Sequence, residues 1–204
     1  MKPKKFLDRV KEHTPSVLGH EDFAKYAVLL PLIEKNGETH VVFEVRSYSL
    51  RRQPGEICFP GGRIDRADED AKETALRETE EELGISPAEI SDVHSLDYLV
   101  SPFGMMVYAF AGEISAEAEL ELNKAEVDHV FTVPLSFFFS TPPKVYRIGF
   151  SVQPEPDFPF DLITGGEEYD WRTRHMEEYF YSYGDKVIWG LTARILAHFI
   201  SVVK

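Results

Sequence analysis

The segment Asp70–Leu83 contains neither glycine nor proline, is dominated by Ala, Lys, Glu, Leu and Arg, and is followed at once by Gly84. That composition predicts a helix ending at a glycine cap. At about 100° per residue, Glu78, Glu81 and Glu82 fall within roughly 100° of arc. Ala75, Leu76, Thr79 and Leu83 fall on an adjoining arc that suits a core. Three carboxylates thus crowd beside a buried stripe. Like charges at this spacing destabilise a helix unless something neutralises them. Hard divalent cations do so, and Mg²⁺ takes one or two carboxylates together with phosphate oxygens and water. Arg77, four residues before Glu81, is placed to pair with it. Taken alone, the string equally describes a solvated acidic face. Its surroundings decide between the two.

Around the helix the pattern is mostly strand. Phe6–His13 reads as a short amphipathic helix. Tyr26–Glu34 is an apolar run followed by Lys35-Asn36-Gly37-Glu38, a strong hairpin signal, with Thr39–Arg46 as the returning strand. Ser47–Gly55 is a loop, and Ile57–Phe59 a short apolar piece broken by Pro60-Gly61-Gly62. Leu96–Val100, Met105–Ala111, Val130–Val133 and Lys144–Val152 are further strand candidates. Gln153–Asp170, rich in Pro, Gly and acids, reads as an ordered surface loop, and Val187–Val203 as an amphipathic helix. The expected architecture is α/β (α+β): one domain over residues 1–204, a mixed sheet between helices. Residues 1–25 form an N-terminal helical extension, and residues 153–186 a loop-rich insertion before the last helix.

The chain has 35 acidic against 22 basic residues, a formal net charge of −13. This argues against nucleic acid or an anionic membrane as partner. An anionic small molecule remains admissible if metal ions or a local basic patch attract it. No run reaches the roughly 18 apolar residues of a membrane span. The basic start at Met1–Lys5 is followed by no apolar signal region, and Cys58, the only cysteine, excludes an internal disulfide. A cytoplasmic location is the expectation, and a homodimer is an alternative the sequence leaves open.

The helix has a wider frame. Six residues separate Gly62 from Glu69, and seven separate Glu69 from Arg77-Glu78-Thr79-Glu80-Glu81-Glu82-Leu83-Gly84-Ile85. This resembles the Nudix hydrolase signature G-x5-E-x7-R-E-U-x-E-E-x-G-U, where U is apolar. The first gap is one residue longer here, and Thr79 stands at a U position while still offering a methyl group. The resemblance implies a Nudix fold, an α/β/α sandwich, with Mg²⁺ or Mn²⁺ held by Glu78 and Glu82, with Glu81 next. A backbone carbonyl of Gly61 or Gly62 would assist. Glu69 and Arg77 would anchor the loop to the helix.

Upstream, Arg46-Ser47, Arg51, Gly55 and Phe59-Pro60-Gly61-Gly62 resemble the R-[S/A]-x3-R-x3-G-x3-F-P-G-G tail of the coenzyme A pyrophosphatase branch. The L-L-T that precedes it there is Val42-Phe43-Glu44 here. The longer gap after Gly62 is usual for that branch. Ser101–Gly104 and Ile188–Leu196 resemble it too, so the similarity runs over roughly residues 26–200. It implies that Arg46, Arg51 and Gly61 contact substrate phosphates, a role suited to the guanidinium fork. Arg52, Arg63 and Arg66 are expected in solvent or in surface pairs.

Glu126, in Asn123-Lys124-Ala125-Glu126-Val127, matches a Nudix N-x-x-E-[V/I] segment. Metal ligand, general base and structural cap all stay open for it, and Glu81 is the other candidate base. The seven histidines show no ligand spacing, Cys58 reads as an inert thiol, and Phe158, Tyr169 and Trp171 read as packing residues. The resemblance implies metal-dependent hydrolysis of coenzyme A or a derivative to 3′,5′-ADP and 4′-phosphopantetheine. The alternatives are a Nudix enzyme acting on ADP-ribose or another nucleoside diphosphate derivative, and a non-catalytic Nudix ligand-binding module.

Overall fold

In the computed structural model, which describes residues 3–204, the organising strand is β1 (Ala24–Lys35). It turns at Asn36 and Gly37, both at positive φ (56° and 78°), into β2 (Glu38–Arg46), as a two-residue hairpin requires. Only the last part of β1, from Leu32, pairs with β2. Its first part, Tyr26–Val28, pairs instead with β4 (Gly61–Arg63), and the N–H of Leu29 donates to the Pro60 carbonyl at 3.0 Å. β2 meanwhile carries the two-residue β3 (Ile57–Cys58) on its far end. The sheet therefore splits at Leu29, and the glycine turn is wedged into the split.

On its other side β1 runs parallel to β7 (Met105–Ile114) for ten paired positions. β5 (Ile90–Ser95) and β6 (Leu99–Ser101) pair antiparallel with β7, and β8 (Val127–Pro134) with β2. The result is a mixed eight-stranded sheet. Strand alternation sends Ala27, Leu29 and Val42 to one face, where they pack with Ala75 and Leu83 of helix α2 (Ala71–Leu83). It sends Leu30, Val41 and Phe43 to the other. There they meet Phe138 of α3 (Leu135–Ser140) and Leu196 and Phe199 of α4 (Gly190–Val203). Phe43 anchors that face, stacked on Phe59 and Phe131 at 5.2 and 5.4 Å. The mixed sheet between helices is the expected fold class.

Several local expectations are corrected. Gly61–Arg63 forms a strand rather than a mere break, because the split in the sheet offers β1 as a partner. Ile90–Ser95 is a strand despite its polar residues, since its other edge and outward face are solvated. The loop-rich stretch 153–186 also holds a strand that was not expected: Arg174–Tyr183 is β10, flanked by β9 (Lys144–Phe150) and β11 (Lys186–Trp189) in a second, three-stranded sheet. Val187–Trp189 belongs to that sheet and not to the last helix, which begins at Gly190 (φ 63°). Gly184 at φ 59° turns the β10–β11 hairpin, and Tyr181 and Ile188 fasten it to the core. α1 (Pro3–Lys11) buries no side chain. Among the described residues no helix is long and apolar enough to cross a membrane.

Candidate active site

Helix α2 starts and stops on sequence-encoded caps. Asp70 accepts from the Glu73 N–H at 2.9 Å, and Gly84, at φ 74°, donates its N–H to the Glu80 carbonyl. The caps fix the helical phase, and the phase aims Glu82 inward. Glu82 is 3% exposed, and its Oε2 accepts from the Gly61 N–H at 2.9 Å. Glu78, one turn earlier, stands against Gly62: a Cβ on that glycine would lie 2.2 Å from Glu78 Cδ. A Cβ on Gly61 would lie 2.3 Å from the Ala27 carbonyl oxygen. The two glycines are thus bare because β1 and the helix carboxylates close on them from opposite sides.

Arg77 gathers the remaining charge. Its guanidinium reaches Asp68 through two bonds of 3.0 and 3.2 Å, Glu78 at 2.9 Å and Glu81 at 3.1 Å. The anchoring carboxylate of the loop is therefore Asp68, which also accepts from Thr74 Oγ1 and the Asp65 N–H, and not the expected Glu69, which is exposed. The hydrogen bonds from Arg77 hold the Asp68 carboxyl well below the usual range. Asp68 is held in that place by the Asp65 N–H and Thr74 Oγ1, which turn its carboxylate towards Arg77.

One acidic residue was not singled out from sequence. Glu44 is 1% exposed, and β2 alternation puts it on the Val42 face, towards α2. Its Oε1 accepts from the Cys58 thiol at 3.0 Å, while Oε2 is buried with no partner among the described residues. Burial first, with the charge of Glu126 added and against the Cys58 hydrogen bond and the Arg46 charge, pushes the Glu44 carboxyl up. Burial and then the Glu44 charge do the same to Glu82, and burial raises Glu78. Burial and the Glu44 carboxylate likewise raise the Cys58 thiol, which rules out a ready thiolate nucleophile. The signal for Glu44 was in the sequence: an acid at an inward position of an otherwise apolar strand.

Glu126 joins the group through its backbone. Asn123 N–H bonds the Glu82 carbonyl, and the Glu126 carbonyl accepts from Ser47 N–H at 2.7 Å. Its side chain is exposed, yet its charge bears on Glu44, Glu78 and Glu82. Among the described residues no three His, Cys, Asp or Glu side chains converge closely enough to chelate an ion as they stand. Arg77 and the Gly61 N–H currently satisfy Glu78, Glu81 and Glu82. The donor set still fits a hard divalent ion: carboxylate oxygens that repel one another, and a bare Gly62 directly beside Glu78.

A cleft of about 560 Å³ opens beside the glycine turn. Arg46 and Arg52 line it with Gly61 and Gly62, and Tyr26, Val28 and Met105 form an apolar wall. Arg46 Nε is buried without a partner among the described residues. Arg51, expected to contact substrate, does not line this cleft, whereas Arg52, expected in solvent, does. The Ser47–Leu50 turn and the bulge at Val45/Arg46 set which of the adjacent arginines faces inward. Phe158, Tyr169 and Trp171 pack on one another, with Tyr169 and Trp171 ring centroids 4.8 Å apart, and stand outside the cleft lining.

Residues 24–147 match the NUDIX domain family. A peroxisomal coenzyme A diphosphatase of Mus musculus, NUDT7, is 39% identical over 127 residues, 62% of this chain and 53% of the mouse protein. The match thus spans about half the length of that relative. An uncharacterized Nudix hydrolase, NudL, of Photorhabdus laumondii is 35% identical over 83% of this chain and 80% of its own. The crystal structure of a MutT/nudix family protein from Enterococcus faecalis superposes with a TM-score of 0.52 at 17% identity, covering 100% of this chain and 70% of the other. The domain match covers more than half of the chain and the Photorhabdus relative is aligned over most of its length, so the chain belongs to the Nudix hydrolase family.

Proposed function

We propose that the protein hydrolyses the pyrophosphate of coenzyme A or a derivative, adding water across one P–O–P bond to give 3′,5′-ADP and 4′-phosphopantetheine. The observation that carries this reading is the continuous wall from Arg46 and Arg52 to the Gly61-Gly62 turn, whose Gly61 N–H bonds Glu82. That wall is the Arg46–Gly62 segment whose spacing resembles the coenzyme A pyrophosphatase tail. The mouse relative's name points the same way.

Glu78 and Glu82, with Glu81 and the Gly62 carbonyl, would hold Mg²⁺ or Mn²⁺. When bound, the ion supplies charge screening for the pyrophosphate and a more acidic water. Arg46, with a free buried Nε, fits one phosphate in a bidentate manner, and Arg52 offers a second guanidinium at the mouth. Glu81 already accepts from Arg77, so its carboxylate is engaged. Glu126, exposed beside the cluster, is the better base for the water's proton.

A panel of coenzyme A, ADP-ribose and dinucleotides with Mg²⁺ and Mn²⁺, products identified by mass, tests the reading. Faster turnover of coenzyme A supports it. Equal or better turnover of ADP-ribose overturns the substrate.

A further inference from the structure

We infer that Trp189 and Phe180 form a stacking subsite for the purine base of the substrate. The inference rests on the pyrophosphatase reading of the cleft and adds the part of the substrate that reading leaves unplaced.

Trp189, the last residue of β11, lines the same cleft as Gly61, Gly62 and Arg46. Its ring lies nearly parallel to that of Phe180, its cross-strand partner, with centroids 5.9 Å apart and planes 14° from each other. Tyr146 meets Phe180 edge-on from behind at 5.4 Å. One face of the indole is thus backed by aromatic packing, yet Trp189 remains 42% exposed. Stacking on Phe180 restricts the indole, so less side-chain entropy is left to lose on binding.

The cleft offers two kinds of apolar surface. The Tyr26, Val28 and Met105 wall is mainly aliphatic and suits a flexible alkyl-amide arm. The indole is flat, and a flat heteroaromatic base is its natural complement. Glu178 lines the cleft beside it, its carboxylate 3.8 Å from where a Cβ on Gly190 would stand, and provides an acceptor for an exocyclic amine. The phosphates between base and arm then fall towards Arg46 and the glycine turn.

The chain has two tryptophans, so Trp171→Phe leaves Trp189 as the sole tryptophan, read by excitation on the red edge where the nine tyrosines do not absorb. Titrating that variant in EDTA with 5′-AMP, 3′,5′-ADP and 4′-phosphopantetheine should give saturable quenching by both nucleotides and none by phosphopantetheine. Trp189→Leu should weaken 3′,5′-ADP binding about tenfold by calorimetry, and Trp189→Phe, which keeps a flat face, by less. Quenching by phosphopantetheine but not by 5′-AMP, or unchanged 3′,5′-ADP affinity in Trp189→Leu, overturns the subsite. Turnover of coenzyme A without nucleotide quenching would sink the subsite alone. Quenching by 5′-AMP in an enzyme that prefers ADP-ribose would sink the coenzyme A reading alone.

Discussion

The N–H of Gly61 donates to Oε2 of Glu82 at 2.9 Å, tying the glycine turn to a carboxylate 21 residues further along the chain. Glu82 is buried, is not paired with a cation among the described residues, and its neighbours are acids. Such a group is expensive to keep for stability alone. Glu82→Gln should therefore leave the melting temperature of the metal-free protein unchanged or raised. It should lower kcat by about a thousandfold or more, the loss of several kcal/mol of charge stabilisation. Undiminished turnover in this variant would remove Glu82 from the site.

The two glycines should fail differently. A Cβ at Gly62 meets the mobile end of Glu78, which yields, whereas one at Gly61 meets the Ala27 carbonyl and the Val28 backbone, which do not. Gly62→Ala should retain the fold and lose activity about a hundredfold through a displaced carboxylate. Gly61→Ala should unfold at markedly lower temperature. Paired thermal melts and kinetics of the two variants check the contrast.

Arg77 leans on Asp68 rather than Glu69. Asp68→Asn should lower the melting temperature by several degrees and weaken Mn²⁺ binding, because Arg77 loses its bidentate partner. Glu69→Gln should change neither. Calorimetric Mn²⁺ titration of both variants distinguishes the two acids, and the reverse ranking would refute the assignment.

Stability of the metal-free protein should fall as pH rises. Glu44, Glu78 and Glu82 all have folded-state values raised above the ordinary carboxyl range, chiefly by burial. A raised group contributes stability that is complete below its unfolded value of about 4.3 and is lost as pH climbs through the folded one. Melting temperature in EDTA should therefore decline from about pH 5 to pH 8. Glu44→Gln should flatten that decline and gain roughly 3 °C at pH 8 for each ~1 kcal/mol of relieved repulsion. Saturating Mg²⁺, which favours the ionised carboxylates, should restore the wild type at the upper end.

Much of this molecule is local in origin. Asp70 and Gly84 bound the helix because their side chain and backbone freedom act within a few residues. Asn36-Gly37 turns the hairpin for the same reason. The 3.6-residue period alone put Glu78 and Glu82 beside a buried stripe. The second sheet was less legible. Arg174–Tyr183 mixes charges and aromatics without a clean alternation, because only Tyr181 is buried deeply against the core.

What the sequence determined by itself was therefore the identity and phase of the glutamate helix and of the first hairpin, since backbone propensity, capping and periodicity operate over one or two turns of chain. What only the tertiary structure decided was which of those elements meet. The split of β1 between β2 and β4 admits the glycine turn to Glu82. The fold of the loop before the helix gives Arg77 to Asp68. Strand β2 delivers Glu44 towards the same carboxylates, and Trp189 reaches the cleft from more than a hundred residues beyond the helix. Charge repulsion, burial and stacking depend on distance in space, and that distance is set by packing across the whole chain.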